Sequence, residues 1–450
     1  MPQPPGPSSA SHGEAAGAGR PVFNPLTPQY RENPHPLLHA LRAAEPVHWS
    51  PILGVWVLTR WADCLAALRH ANLSADARHW AQYRKFFFRQ APGSPGSPGG
   101  HGDASSPVSA AVYRHWMLQM DGPGHARLRG LAAGAFAPRL VAAMEARIQS
   151  LVDGLIDRVE SAGRMDLIAD LAYPLPIAVI CALLGVPVQD HARIRQWSSA
   201  LLASFSPAMS LAAAGQVNEA MGQFADYFRQ LVRQRRRQGR DDLLSALIAA
   251  GGGGGGEAPG GECRVEGGGG GGDKLSDDEL VGTCTLLAFA GHASTVQLIA
   301  GAAALLLQHP AQGALLREDP TLTAGAVEES LRHVSPLQVV YRTSKGPVEL
   351  GGKVIPAGQM VLISLAAANR DPAVFADPDR FDIRRDSSRH IALGHGGHFC
   401  LGAPLARLEA RLAITTLLRR LPRLALAEGG LDREPSLLLR GITRLPVVFG

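Results

Sequence analysis

The sequence predicts a mainly α protein with a small, segregated antiparallel β region, on three observations. Long stretches repeat their apolar residues at intervals of three and four, the period of a helix with one buried face. One later stretch is apolar on every side, which marks a helix running through the interior. Strand signals are confined to a short patch around residues 348–364. Of the 450 residues, 46% are hydrophobic and 18% charged, a balance that sustains a packed core and excludes a wholly disordered chain.

Residues 1–20 are mostly Pro, Gly, Ser and Ala and read as a disordered tail without the apolar core of a signal peptide. Residues 91–106 (APGSPGSPGGHGDASS) and 251–272 (two hexaglycine runs around EAPGGECRVE) offer nothing to bury. Backbone entropy therefore predicts mobile loop insertions there. The motifs described below flank both insertions and need one pocket, so residues 21–450 are expected to form a single domain. Ala133 to Val159 follows the helical period. Leu171 to Val188 is the most apolar stretch, but Pro174, Pro176 and Pro187 interrupt it, which favours a buried helix over a membrane span. Gln216 to Arg237 is helical and ends among Arg233, Arg235, Arg236, Arg237 and Arg240. That run is a solvated helix end; nucleic-acid binding needs a broader basic footprint than a net charge of +5.

At Ser276 a capping box begins with Glu279, and Leu275 and Leu280 occupy the staple positions. The helix it starts should reach Gln308, where His309-Pro310 stops it, a span of about 50 Å. Val348 to Leu350, Gly351-Gly352 and Lys353 to Ile355 read as a two-residue hairpin, and Pro356-Ala357-Gly358 turns the chain into a strand at Met360 to Ser364. Leu401 to Leu421 is again helical. The five cysteines are scattered with no CxxC pair, which argues against disulfides and zinc fingers and fits a reducing cytosol.

Leu393-Gly394-His395-Gly396-Gly397-His398-Phe399-Cys400-Leu401-Gly402 carries the chemistry. Its glycines permit tight turns and close approach of a flat object, and Cys400 lies just ahead of a helix N-terminus, which stabilises a thiolate. Taken alone, the segment leaves open a small buried cysteine in a loop or a metal-ligating thiolate. A zinc site from His395, His398 and Cys400 lacks a fourth ligand.

This segment resembles the haem-binding loop of the cytochrome P450 family, F-G-x-G-x-H-x-C-x-G, with Leu393 in place of the usual Phe. The resemblance implies a P450 fold with the long helix over the haem, and haem b ligated by Cys400 as proximal thiolate. Three further segments match in the family's order. Glu329-Ser330-Leu331-Arg332 resembles its buried E-x-x-R pair, with Arg380 of Asp377-Pro378-Asp379-Arg380-Phe381 as the implied third member. Asp121-Gly122-Pro123-Gly124-His125-Ala126-Arg127-Leu128-Arg129 resembles the family's D-P-P-E-H-x-R-L-R helix, which makes His125 and Arg129 propionate ligands. Arg342 and His398 are implied to reach propionate oxygens too, and Leu393, Gly394 and Gly402 of the loop to bind the cofactor.

Ala290-Gly291-His292-Ala293-Ser294-Thr295 departs from the family's A-G-x-(D/E)-T. Ala293 stands at the acid position and Ser294 at the threonine position. Gly291 keeps a soft spot, and Ser294 and Thr295 are expected to bond back to carbonyls one turn earlier. Thr295 is rotated about 100° from Ser294 and cannot simply replace it. The resemblance implies an O2-dependent monooxygenase whose proton relay uses Ser294 and water. A peroxide-driven or atypical haem-thiolate oxidase and a catalytically weak haem-binding scaffold in a biosynthetic assembly are the alternatives. By position the pocket walls include Leu286, Ala290, Leu337, Val339, Val340 and Ile442, with Phe86-Phe87-Phe88 as a roof. Their apolar character predicts a hydrophobic small-molecule substrate, such as a secondary metabolite. Electrons are expected from a separate ferredoxin or flavodoxin with an NAD(P)H-dependent reductase, docking near Arg127, Arg407 and Arg411. A cytoplasmic monomer without membrane or nucleic-acid partners is expected.

Overall fold

The computed structural model describes residues 20–81, 108–202, 204, 211–250, 274–433 and 436–450. The N-terminal tail, both glycine-rich insertions and Phe86-Phe87-Phe88 lie outside these described residues.

A helix over Asp277–Gln308 forms the spine. Its capping box is complete: Ser276 Oγ accepts from the Glu279 N–H at 3.2 Å, and Glu279 Oε2 accepts from the Ser276 N–H at 2.9 Å. Leu275 and Leu280 are both buried, as staple residues should be. At the other end the backbone of His309 leaves helical geometry and Pro310 starts the next helix. By length and composition the spine could cross a membrane, yet here it lies inside the protein. Helices Pro174–Leu183, Leu211–Arg237, Thr323–Val334 and Ala403–Arg420 pack around it. Two of these approach at glycines: a Cβ on Gly291 would lie 2.7 Å from Ile180, and one on Gly301 would lie 2.8 Å from Val334. Both glycines are thus fixed by packing.

The stretch from Ala133 to Val159, read as following the helical period, is helical in three pieces. A 3-10 turn over Gly134–Phe136 ends the preceding helix, Pro138 opens another at Pro138–Ala143, and Glu145–Glu160 follows. Proline fits in the first turn of a helix, where its missing N–H has no partner to lose. The Leu171 to Val188 stretch contains the buried helix Pro174–Leu183, with Pro174 and Pro176 in its first turn.

The expected hairpin forms between Val348–Leu350 and Lys353–Ile355, with Gly351 and Gly352 at φ +54° and +75° as a two-residue turn with left-handed residues demands. Met360–Ser364 does not extend it. That strand enters a five-stranded sheet in the order Val47–Ser50, Val55–Leu58, Met360–Ser364, Val339–Ser344, Leu73–Ser74. One pairing in this otherwise antiparallel sheet, Val55–Leu58 with Met360–Ser364, is parallel. About 300 residues separate these strands, so no tight turn dictates their direction.

Candidate functional site

Cys400 is placed by a loop that folds back on itself. Its N–H donates to the Leu393 carbonyl at 2.8 Å, Gly394 and Gly396 both take φ +73°, and Gly396–His398 forms a 3-10 turn. The helix Ala403–Arg420 starts three residues later. Burial pushes the Cys400 thiol above its ordinary range, while the Gly402 N–H, Arg129 and Arg407 pull it down. A cation or metal ion at the sulfur is what would complete the shift to thiolate.

Four basic side chains converge beside this loop. His125 and His398 lie with ring centroids 4.2 Å apart, and Arg129 Nη2 donates to the Phe399 carbonyl at 2.6 Å. Arg342 is 8% exposed, and its Nη1 donates to the Tyr341 carbonyl at 2.8 Å. Neither arginine has a carboxylate partner among the described residues. The one acid present, Asp121, accepts from His398 Nε2 at 3.3 Å and from Ser74 and the Ala75 N–H. Its carboxyl is held well below the usual range by these contacts against the opposing effect of burial. Two buried or half-buried arginines without an ion-paired carboxylate among the described residues, two imidazoles and one cysteine fit a flat dianionic haem whose two propionates would supply negative charge beyond that of Asp121. The sequence reading missed Asp121 as a partner of His398, although it is the first residue of the matching motif.

Behind the loop, Glu329 and Arg332 are fully buried and doubly bonded, at 2.6 and 2.8 Å. The remaining Arg332 donors go to the carbonyls of Asn369 (2.9 Å), Pro378 (2.7 Å) and Arg380 (3.2 Å), which satisfies all five N–H groups. The expected third member is corrected. The Arg380 side chain is 63% exposed and pairs with Asp382 at 3.5 Å, contributing only its backbone carbonyl to the network. Arg385 takes the place instead, with Nε 3.3 Å from Glu329 Oε1 and its other nitrogens on the carbonyls of Ala376, Asp377 and Arg380. Ser387 Oγ adds a bond to Glu329 at 2.6 Å. Asn369 links this network forward, accepting from the Ile391 N–H at 2.8 Å just ahead of the cysteine loop.

Along the spine helix, Ala290 is exposed and Ala293 and Ser294 are half-buried, while His292 and Thr295 are buried. Positions 286, 290, 293, 294 and 297 share one side of a 3.6-residue helix, the side expected to wall the pocket, and all but the buried Leu286 keep some exposure. Ser294 faces it and Thr295 does not. The expected back-bonding by Ser294 and Thr295 is not found. It belongs to His292, whose Nδ1 lies 2.8 Å from the Ala288 carbonyl, and the helix stays continuous through Gly291. Burial lowers the His292 pKa to about 4, so the ring is neutral.

Of the expected walls, Leu286 lies on the spine side just described. Leu337 and Val340 pack together in the core that borders the five-stranded sheet. Val339 is corrected: alternate residues of a strand face opposite ways, and Val339 is buried with Phe23, Leu38 and Tyr341 in a separate cluster. Val340 shares its face with Arg342. Ile442 is held to the spine by the amide of Gln297, which accepts from the Ile442 N–H at 2.6 Å and donates to its carbonyl at 3.2 Å. The arginines expected to receive an acidic partner are already engaged: Arg127 with Glu279, Arg407 with Glu328 at 2.6 Å, Arg411 with Glu145 at 3.0 Å.

Comparisons with known proteins agree with this site. The family described as Cytochrome P450 matches residues 113–427. Cytochrome P450 monooxygenase PikC of Streptomyces venezuelae is 39% identical over 433 residues, covering 94% of this chain and 92% of that protein. Vitamin D(3) 25-hydroxylase of Pseudonocardia autotrophica is 41% identical over 425 residues, covering 93% and 94%. The crystal structure of P450BioI, in complex with hexadec-9Z-enoic acid ligated acyl carrier protein, superposes with a TM-score of 0.81 at 35% identity over 94% of this chain and 99% of that one. With its mainly helical fold, its glycine-bounded cysteine and the basic face beside it, the chain belongs to the cytochrome P450 family, haem b monooxygenases with a cysteine thiolate ligand.

Proposed function

We propose that the protein is an O2-dependent monooxygenase that inserts one oxygen atom into a hydrophobic small molecule of secondary metabolism. The observation that carries this reading is the convergence of Cys400 with Arg129, Arg342, His125 and His398 at one loop. Bound haem would supply the redox chemistry that activates dioxygen. Cys400 would hold the iron through its sulfur, with the Gly402 N–H, Arg129 and Arg407 favouring the charged thiolate. Arg129 and Arg342 would neutralise the propionates, with His125 and His398 as further hydrogen-bonding partners. Ser294 Oγ is the hydroxyl on the cavity side and would pass a proton from ordered water. Leu286, Ala290, Leu337, Val340 and Ile442 would exclude bulk water and orient an apolar substrate. Electrons would come from a separate ferredoxin or flavodoxin with its NAD(P)H-dependent reductase, in the cytoplasm. Because Arg127, Arg407 and Arg411 are each paired, such a partner must compete for them or contact neighbouring positions.

The relatives support the substrate class: one is named for hydroxylating vitamin D(3), and another was solved with a fatty acyl group on a carrier protein. A second reading, peroxide-driven or atypical oxidation, is favoured by one observation: Ala293 brings no acid to the cavity side of the spine helix.

The test is the optical spectrum of the dithionite-reduced, haem-loaded protein under carbon monoxide. A strongly red-shifted Soret band is expected, lost in Cys400→His; an ordinary histidine-like band in the wild type would overturn the ligand assignment. Turnover with surrogate ferredoxin and reductase, against peroxide alone, separates the two oxidant readings.

A further inference from the structure

A second group of basic side chains lies away from the cysteine loop, where the N-terminal helix His35–Ala44, the end of Thr323–Val334 and the segment leading to Ile442 meet. Arg370, 8% exposed, donates through Nη2 to His333 Nδ1 and to the His333 carbonyl, both at 2.9 Å. His333 Nε2 is thereby left to donate to the Asp379 carbonyl at 3.0 Å. His35 and His39 lie with ring centroids 6.2 Å apart, and Arg440 donates to the Glu32 carbonyl at 2.7 Å. Four nitrogens in this group are sealed from solvent without a hydrogen-bond partner: His35 Nδ1, His39 Nε2, Arg370 Nε and Arg440 Nη1. Buried polar groups are almost always satisfied, and each orphan carries a desolvation penalty.

The charge is as unbalanced as the hydrogen bonding. Among the described residues, the one carboxylate paired into the group is Asp379, 2.8 Å from Arg370 Nη1 and 3.6 Å from His39 Nε2. Its side chain is 51% exposed and forms the solvent side of the cluster. Arg440 has no acid partner among the described residues, and burial together with Arg433 and Arg370 lowers its pKa to about 10. Burial and the neighbouring cations also hold His35 well below its ordinary value. His35 is the first residue of its helix, whose first turn has no acidic residue and no side-chain cap, so the positive helix end adds to the same field. A metal ion would be repelled here.

We propose that His35, His39, Arg370 and Arg440 form a binding site for a phosphate group, entered past Asp379. Arg370 and Arg440 supply the charge and donors suited to a tetrahedral oxyanion, and the two imidazoles complete its coordination. The site uses none of the residues of the haem-binding face, and Arg440 stands two residues before Ile442, an expected wall of the substrate pocket.

The test uses the full-length, haem-loaded protein with inorganic phosphate as the probe, at pH 7 and constant ionic strength against sodium chloride. A saturable rise in Tm is expected, about 2–3 °C once phosphate exceeds its Kd about a hundredfold, with matching heat by calorimetry. Arg440→Gln and His35→Phe should each weaken binding at least tenfold. Asp379→Asn, which removes the competing carboxylate, should tighten it several-fold. Glycerol phosphate matching inorganic phosphate would identify a monoester as the ligand; its exclusion would identify the free ion. Either no phosphate effect beyond that of chloride, or an effect unchanged in the Arg440→Gln and His35→Phe proteins, would overturn the proposal. Neither measurement depends on turnover, so failure here leaves the monooxygenase reading untouched.

Discussion

Replacing Arg385 with Ala should destabilise the protein far more than the same change at Arg380, although both guanidinium groups follow the E-x-x-R helix within one short loop. Arg385 makes one charge-assisted contact to a fully buried carboxylate at 3.3 Å, worth about 1.5–3 kcal/mol in favourable settings. The value lies at the low end here, because Glu329 Oε1 keeps Arg332 Nη2 at 2.8 Å and the Asp382 N–H at 3.0 Å. Its bonds to the carbonyls of Ala376, Asp377 and Arg380 add about 0.5 kcal/mol each after discounting for partial exposure. Together the loss is about 3 kcal/mol. Arg380→Ala keeps the backbone carbonyl used by both arginines and removes only an exposed contact at 3.5 Å, worth at most about 0.5 kcal/mol. With an unfolding entropy of about 2 cal/mol/K per residue, 450 residues give a Tm shift of about 1 °C per kcal/mol. Circular dichroism melts of the haem-loaded variants should therefore show losses of about 3 °C and under 1 °C, with urea midpoints in the same order. Equal losses, or a larger one for Arg380→Ala, would refute the assignment.

Three other outcomes follow from the packing. Glu409 is fully buried, and burial holds its carboxyl well above the ordinary value, with Oε2 lacking a partner. The native state keeps a proton that the unfolded chain releases above pH 4.5, so stability is full below that pH and falls as pH rises through the native value. Glu409→Gln should gain on the wild type by up to about 1.4 kcal/mol per pH unit across that window, and a pH-independent difference in urea melts would contradict the linkage. Gly291→Ala should cost about 1–3 kcal/mol by overpacking against Ile180, and Ile180→Ala in the same chain should recover part of it; additive losses in thermal melts would rule out the clash. Ala293→Glu should raise the product formed per NADPH consumed, and an unchanged ratio would show that the Ser294 relay is not limited by the missing acid.

What the sequence made legible was local. The cap at Ser276, the stop at His309-Pro310 and the Gly351-Gly352 turn are decided by neighbours within a few residues, and the structure places each as read. The cysteine loop is equally local: its glycines, thiol and following helix are contiguous. Arg380 and Arg385 carry the same guanidinium, and the path of residues 376–387 chooses between them. That path includes Asp377 at φ +45°, a left-handed conformation that Asp tolerates better than most residues but that no neighbouring residue announces. Val339 was legible in principle, because strand alternation sends it away from Val340. The parallel pairing of Trp56 with Val361 was not, since long-range register depends on which faces the whole core buries.

The Gln297 amide grips Ile442 by both its N–H and its carbonyl. A wall held this way is indexed to one residue. Lengthening or shortening the Arg440 to Leu445 segment by a single position would either break two bonds or present Gly441 or Thr443 in place of Ile442. Cavity shape at this edge should therefore change in whole-residue steps under insertion and deletion, like a ratchet with one tooth per amino acid.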